Sequence, residues 1–451
     1  MVTSSQTPKI IVLDDDPTGS QTVHSCLLLT RWDVDTLRMG LADPSPIVFI
    51  LTNTRALTPS DANAVTREVC QNLKQAIARE AIDDFLVVSR SDSTLRGHYP
   101  IETDAIADEL GPFDAHFLTP AFFEGGRITR DSIHYLRVDG VEVPVHETEF
   151  AKDSVFGYSH SYLPDYVAEK THGTIAAESV ERFVLADIRA GTLKRLLNLH
   201  DNQCVAVDAE TQSDLNRFAA DVLEAASQGK KFLFRSAASL LTALADLPPQ
   251  PIDAEHMGQY TRGGNAGVVL VGSHVQKTTQ QLEQLLLEAD VVGIEVDVVH
   301  LLDESAEQRA SLLKQTLDKI NDAFSQGKTP VIFTSREELT FPDAQTRLEF
   351  GAAVSDLLMD IVRGLPENIG FLISKGGITS NDVLSKGLNL TFARLLGQIL
   401  PGVSIVRTPD QHPQFPNLPV VLFPGNVGDV KSLAIAHRRL SKHSDLSGNP
   451  S

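Results

Sequence analysis

Cysteine is scarce: three residues, Cys26, Cys70 and Cys204, are scattered through 451. An odd number at wide spacing excludes a disulfide framework and a thiolate zinc site, so all three read as reduced core residues. Long apolar runs are missing too. No stretch approaches the ~18 residues that cross a bilayer, and no charged-then-apolar leader precedes the first candidate strand near Lys9, so a cytoplasmic protein that keeps off membranes is expected. Basic residues are outnumbered, 39 against 59 acidic, for a formal net charge of −20 at pH 7. Nonspecific nucleic-acid binding works by displacing phosphate counterions and needs the opposite surface. An anionic substrate must therefore find a locally basic pocket inside an acidic shell.

Several signatures are absent as well. The His- and acid-bearing stretch VPVHETEFAKD at 143–153 lacks the HExxH spacing that sets two imidazoles on one helical face, so no metal ligands are assigned. Gly327-Lys328-Thr329 ends like a phosphate-binding P-loop, but the required upstream glycine position holds Asp322, and the tripeptide follows a helical pattern. Gly263-Gly264-Asn265-Ala266-Gly267 resembles a dinucleotide fingerprint yet precedes its strand instead of following it. A nicotinamide-dependent oxidoreductase thus lacks its glycine-and-acid signature. No repeat recurs at 20 to 50 residues.

What is present is an ordinary globular composition, 42% hydrophobic, long enough for two to three domains at about 150 residues each. Short β-branched runs at 9–13, 46–51, 85–88, 115–118, 204–207 and 232–234 alternate with helical patterns at 59–79 and 102–110. That alternation predicts βαβ units on a largely parallel sheet. The Pro- and Gly-rich stretch 248–267 has no apolar period and reads as a linker. Beyond it strands are expected at 268–271, 291–298, 330–334, 369–374, 403–406 and 420–423, with helices at 278–288, 306–324 and 341–364. The expected fold is two α/β domains, 1–247 and 268–439, with the active site in the cleft between them and a disordered tail at 440–451.

Chemistry-bearing residues gather where strands end. The first strand runs into Asp14-Asp15-Asp16-Pro17-Thr18-Gly19, and ligand crevices of parallel sheets lie outside the carboxyl ends of strands. Clustered acids there suit a general base with an orienting partner, or a magnesium ion; the plain alternative is a solvated turn with one helix-capping Asp. The third strand runs into Ser89-Arg90-Ser91-Asp92-Ser93-Thr94-Leu95-Arg96-Gly97 and the second into Thr52-Asn53-Thr54-Arg55. Guanidinium forks there can bind a carboxylate, and Asp and Ser can bind hydroxyls, although such loops also occur as capped helix starts with surface salt bridges. Phe123 to Thr129 adds glycine flexibility and another arginine, Arg127, after the fourth strand; a plain loop is the equal alternative. In the second half, Gly272-Ser273-His274, Lys375-Gly376-Gly377-Ile378-Thr379-Ser380 and Pro424-Gly425-Asn426 are strand-to-helix turns of the kind that cradle phosphates.

Taken together, DDDPTG at 14–19, SDSTLRGH at 91–98, GRITRDS at 126–132, ETEFAKD at 147–153, GSHVQKTTQQL at 272–282 and KGGITSND at 375–382 resemble the four-carbon acid sugar kinase family. The resemblance implies an N-terminal domain for the acid sugar and a C-terminal domain for ATP. Its members phosphorylate threonate, erythronate or 3-oxo-tetronate at the terminal hydroxyl. Carried over, the family's acid pair falls on Asp15 and Asp16 and its substrate loop on Asp92 to Gly97. Its nucleotide contacts fall on Ser273, on Gly376, Gly377, Ile378 and Thr379, and on Gly425. Asp14 adds a third acid, Pro17 replaces a commoner leucine, and Ile378 stands where several members carry glutamate. The expected protein is a kinase using ATP and Mg2+, with Asp15 or Asp16 as catalytic acid or base. Arg96 is expected on the substrate carboxylate, assisted by Arg55 or Arg90, and Asp92 on a hydroxyl. Its expected partners are a small sugar acid and ATP, without nucleic acid or membrane; a homo-oligomer is left open. A non-catalytic metabolite sensor is the rival reading, disfavoured because a binder of anions gains nothing from clustered carboxylates.

Overall fold

The computed structural model describes residues 8–138, 140–302, 305–336, 339, 341 and 344–441. The chain divides into two compact units, Met1–Pro249 and Gln250–Ser451.

In the first unit β1 (Lys9–Asp14), β2 (Leu27–Leu29), β3 (Ile47–Leu51), β4 (Phe85–Arg90) and β5 (Ala115–Thr119) come first. A separate antiparallel meander follows, made of β6 (Arg127–Arg130), β7 (Ile133–Val138) and β8 (Val141–Pro144). The chain then returns through β9 (Glu181–Phe183), β10 (Gln203–Val207) and β11 (Phe232–Ser236). The main strands lie in the order β2-β3-β1-β4-β11-β5-β10-β9, each pair parallel. Parallel strands are covered on both faces, which is why these segments are unbroken apolar runs: Ile10, Ile11, Val12 and Phe49 are fully buried. One covering helix, Pro59–Glu80, starts on Thr58, whose hydroxyl accepts from the Asp61 N–H, with proline at its first position. β1 pairs with β3 on one side and β4 on the other, so successive connections leave it in opposite directions. Such a switch point opens a crevice at the carboxyl ends of the strands.

The second unit contains β12 (Val268–Val271), β13 (Val291–Val296), β14 (Thr329–Thr334), β15 (Leu372–Lys375), β16 (Phe392–Leu400), β17 (Val403–Arg407) and β18 (Pro419–Phe423). Their order is β13-β14-β12-β15-β18-β17-β16; the first five are parallel, and β17 and β16 turn antiparallel. A second switch point lies between β12 and β15. Val269, Val271, Ile373, Val421 and Phe423 form a core with Met257, Leu282 and Leu433.

Four expectations change. The stretch 248–267 is no free linker: Ala254–Tyr260 is a 3-10 helix whose Met257 is fully buried in the second core. Gln250 exchanges hydrogen bonds with Gln398, and the Thr261 hydroxyl donates to Leu440 O at 2.7 Å. Met257, with Tyr260 packed beside it, anchors this polar segment on the second core. Phe123 to Thr129 is not a plain loop either, because Arg127 begins β6. β16 was not foreseen: its apolar residues Leu395, Leu396, Ile399 and Leu400 break the two-residue alternation, and the structure accommodates them with two register shifts against β17. Leu440 belongs to a final helix, Ser432–Ser441, and the rest of the expected tail, 442–451, lies outside the described residues, as do 342 and 343 of the expected helix 341–364.

Candidate active site

The carboxyl ends of β3, β1 and β4 are adjacent, and they bring Thr52 to Arg55, Asp14 to Asp16 and Arg90 to Gly97 together. The three acids differ sharply in access: side-chain exposure is 0% at Asp14, 2% at Asp15 and 20% at Asp16. Arg55 holds Asp15 through Nε at 3.1 Å and through Nη2, and its Nη1 reaches Asp16 Oδ2 at 3.4 Å. Arg90 Nη1 donates to Asp14 Oδ1 at 3.3 Å, while Asp14 Oδ2 is buried without a partner. Burial pushes the Asp14 carboxyl up to about 7, against Arg90 and with help from Asp15 and Asp16. Burial acts the same way on Asp16, yet Arg55, Arg90 and Thr18 outweigh it and hold that carboxyl below its ordinary value. Asp16 is thus ionised, and it is the reachable member of the three.

The loop after β4 is locked by side chains from elsewhere in the unit. Ser91 Oγ donates to Asp15 Oδ2 at 2.6 Å. Four successive carbonyls are then claimed: Ser93 by His134 Nε2 at 2.7 Å, Thr94 by the Tyr158 hydroxyl at 2.6 Å, Leu95 by the Tyr166 hydroxyl at 2.8 Å and Arg96 by Arg235 Nη2 at 2.8 Å. Burial pushes His134 down to about 4, so its neutral ring donates from Nε2 and accepts the Thr129 hydroxyl at Nδ1. The loop closes at Gly97 with φ +122°, where a Cβ would stand 2.3 Å from Ser91 Oγ. Asp92 accepts from Arg96 Nε at 2.9 Å and from both groups of Thr94. Although burial opposes it, Arg96, Arg55 and Thr94 keep the Asp92 carboxyl far below its ordinary value. Arg96 also lies 3.5 Å from Asp153 and over the Phe150 ring, which brings in the ETEFAKD segment.

The expected residues therefore converge, with roles sorted by burial. Arg90 and Arg55 are counter-ions of the acids, and Arg96 is tied to Asp92. Arg127 was noted in its loop and stands in GRITRDS, but it was assigned no role. Its Nη1 donates to Gly125 O, its Nε is buried without a partner, and it makes no ion pair among the described residues.

In the second unit the three turns also meet. A Cβ on Gly376 would lie 3.1 Å from Ser273 Cβ and 3.2 Å from Thr379 Oγ1, and one on Gly425 would lie 3.2 Å from Ser273 Oγ. Gly376 has φ +123°, which lets the chain turn out of β15 against Ser273. The Thr278 hydroxyl lies 3.2 Å from Ser273 Oγ and 3.0 Å from Gly425 O. Gly377, Ile378 and Thr379 open the helix Gly377–Asp382, with Ile378 68% exposed and Thr379 buried. Lys375 was read only as part of its turn, with no role of its own. Fully buried at the end of β15, it donates to Pro424 O and to Gly425 O at 3.1 Å across the Phe423 ring, clamping two of the turns together. Burial pushes its ammonium down to about 7, with nearby Lys277 adding to the push.

Family models agree with this division: that of a sugar-binding N-terminal domain matches residues 10–244, and that of a nucleotide-binding C-terminal domain matches 268–433. The chain belongs to the four-carbon acid sugar kinase family. Among its relatives, a D-erythronate kinase of Heliobacterium modesticaldum is 26% identical over 69% of each chain. A D-threonate kinase of Bordetella bronchiseptica is 30% identical over 35% of this chain and 38% of its own. The fold recurs in a Salmonella typhimurium LT2 protein of provisional tRNA-synthase designation, with TM-score 0.68 and 20% identity over 96% of this chain and 100% of that one. It recurs in Haemophilus influenzae protein HI1011, with TM-score 0.63 and 19% identity over 95% and 100%. Among the described residues no group of three or more His, Cys, Asp or Glu is arranged to hold a metal ion, and no helix is long and apolar enough to cross a membrane.

Proposed function

We propose that this family member is an ATP-dependent kinase that phosphorylates a hydroxyl of a four-carbon sugar acid of the threonate, erythronate or 3-oxo-tetronate kind. The observation that carries the reading is the graded acid cluster: one reachable, ionised carboxylate, Asp16, beside two acids buried against arginines. A surface turn that merely caps a helix has no need of two arginines from neighbouring strands.

In this reading the sugar acid binds over the loop after β4. Arg96 and Arg127 face its carboxylate and Asp92 accepts from a hydroxyl. The attacking hydroxyl donates to Asp16, and its oxygen bonds to the γ-phosphorus as the bond to the bridging oxygen breaks and ADP leaves. Phosphoryl transfer has a loose transition state, so a carboxylate of low basicity serves by orienting the hydroxyl and receives the proton late. Ser273, Gly376 to Thr379 and Gly425 form a cradle suited to the nucleotide. Magnesium bound to the substrate ATP would supply charge neutralisation at its phosphates.

ADP release measured over a panel of C4 to C6 aldonates and keto-acids tests the reading. Turnover restricted to four-carbon acids is expected. ATP-independent chemistry, or ligand binding without ADP release from any acid, overturns it.

A further inference from the structure

The chain carries a large acidic excess, and most arginines of the first unit's site are matched to carboxylates. One locus of the second unit breaks this pattern. Arg336 follows β14, whose neighbour in the sheet is β12, and it reaches across to the turn after β12. Its Nη1 donates to Ser273 O at 2.8 Å and its Nη2 to Thr279 Oγ1 at 2.6 Å, while Nε is buried with no partner. No ion pair is made by Arg336, Lys277 or Lys375 among the described residues.

The surroundings deepen the imbalance. Thr279 lies in the first turn of the helix Gln276–Leu285, which has no acidic residue in that turn and no side-chain cap on Val275. Helix starts carry positive partial charge and favour anions, so a guanidinium fastened there, with Lys277 on the same turn, is unfavourable until an anion arrives. Two neutral acceptors fix the plane of the guanidinium but leave its charge unspent. Burial lowers the affinity of Arg336 for its proton, and among the described residues no carboxylate counters the effect.

We propose that Arg336 is a phosphate-contacting residue of the nucleotide site, its guanidinium set by Ser273 O and Thr279 Oγ1 to meet the polyphosphate chain of ATP. This inference rests on the kinase reading. It adds a residue that follows β14 to a site otherwise built from the turns after β12, β15 and β18.

The test is calorimetric titration of the full-length protein with magnesium-ATP, inorganic tripolyphosphate and adenosine, together with the Michaelis constants for ATP and the sugar acid. In Arg336→Met the affinities for ATP and tripolyphosphate should fall by roughly 10- to 100-fold, the scale of a lost charge-assisted hydrogen bond, with adenosine binding and the sugar-acid constant unchanged. Arg336→Lys should recover part of the loss. Unchanged ATP and tripolyphosphate affinity overturns the inference while leaving the kinase reading intact. Parallel loss of all three ligands, with no recovery in the lysine variant, also overturns it, because it marks Arg336 as a brace of the fold. If the wild type fails to bind ATP at all, the kinase reading itself falls and takes the inference with it.

Discussion

Arg55 grips both carboxylate oxygens of Asp15, Nε to Oδ2 at 3.1 Å and Nη2 to Oδ1, in a pair where Asp15 is 2% exposed. A guanidinium so engaged has little left for a substrate carboxylate, and a carboxylate so engaged is a poor partner for an incoming hydroxyl. The pair joins the ends of β3 and β1 and leaves Asp16 at the rim.

The two acids should then separate experimentally. Asp15→Asn breaks a buried ion pair and should cost about 3–5 kcal/mol in urea unfolding, the usual penalty for removing one partner. Asp16→Asn should keep the fold and lower turnover by about 10²–10⁴-fold, the range for a group that handles a reacting proton. Turnover retained in Asp16→Asn would remove it from the mechanism and return the role to Asp15.

Carboxylate recognition is checked by paired lysine substitutions. Arg96→Lys and Arg127→Lys keep the charge but lose the planar fork, so affinity for the sugar acid should drop by roughly 1.5–3 kcal/mol in each. The Michaelis constant for ATP should hardly move. If both constants rise together in one variant, that arginine supports the loop after β4 and not the carboxylate.

Gly376→Ala tests the nucleotide cradle. A side chain at φ +123° is strained and would press on Ser273 and Thr379, so a loss on the order of 1–3 kcal/mol is expected in thermal unfolding. The Michaelis constant for ATP should rise in the same variant while that for the sugar acid stays. Unaltered ATP kinetics would detach the turn after β15 from the nucleotide.

Asp14 predicts a pH effect of definite sign. Its carboxyl is raised from 3.8 to about 7 in the folded state, so between those values the folded protein holds a proton that the unfolded chain has released. Its contribution is therefore favourable at low pH and is lost as pH rises through about 7. Compared with wild type, Asp14→Asn should gain stability steadily from about pH 4 to pH 7, by a few kcal/mol at most, and then level off. Denaturation curves of the two proteins whose difference is flat with pH would show that Asp14 is ionised throughout.

Much of the architecture was legible in the sequence. Runs such as Ile10 to Leu13 and Val268 to Val271 announce parallel strands, because burial on both faces leaves no polar alternation. Parallel strands share one carboxyl edge, so the acids after β1, the arginine loop after β4 and the glycine turns after β15 and β18 were bound to emerge on the same side of their sheets. Sequence could not rank Asp14, Asp15 and Asp16, since burial and pairing depend on Arg55 and Arg90 arriving from neighbouring strands. Nor could it foresee His134 from the meander or Tyr158 and Tyr166 beyond it, which fasten consecutive carbonyls of one loop over separations of 41 to 71 residues. Strand identity is a local matter of which side chains tolerate burial. Strand order is global: β14 lies next to β12, and that adjacency alone carries Arg336 to Ser273, a contact no spacing in the chain encodes.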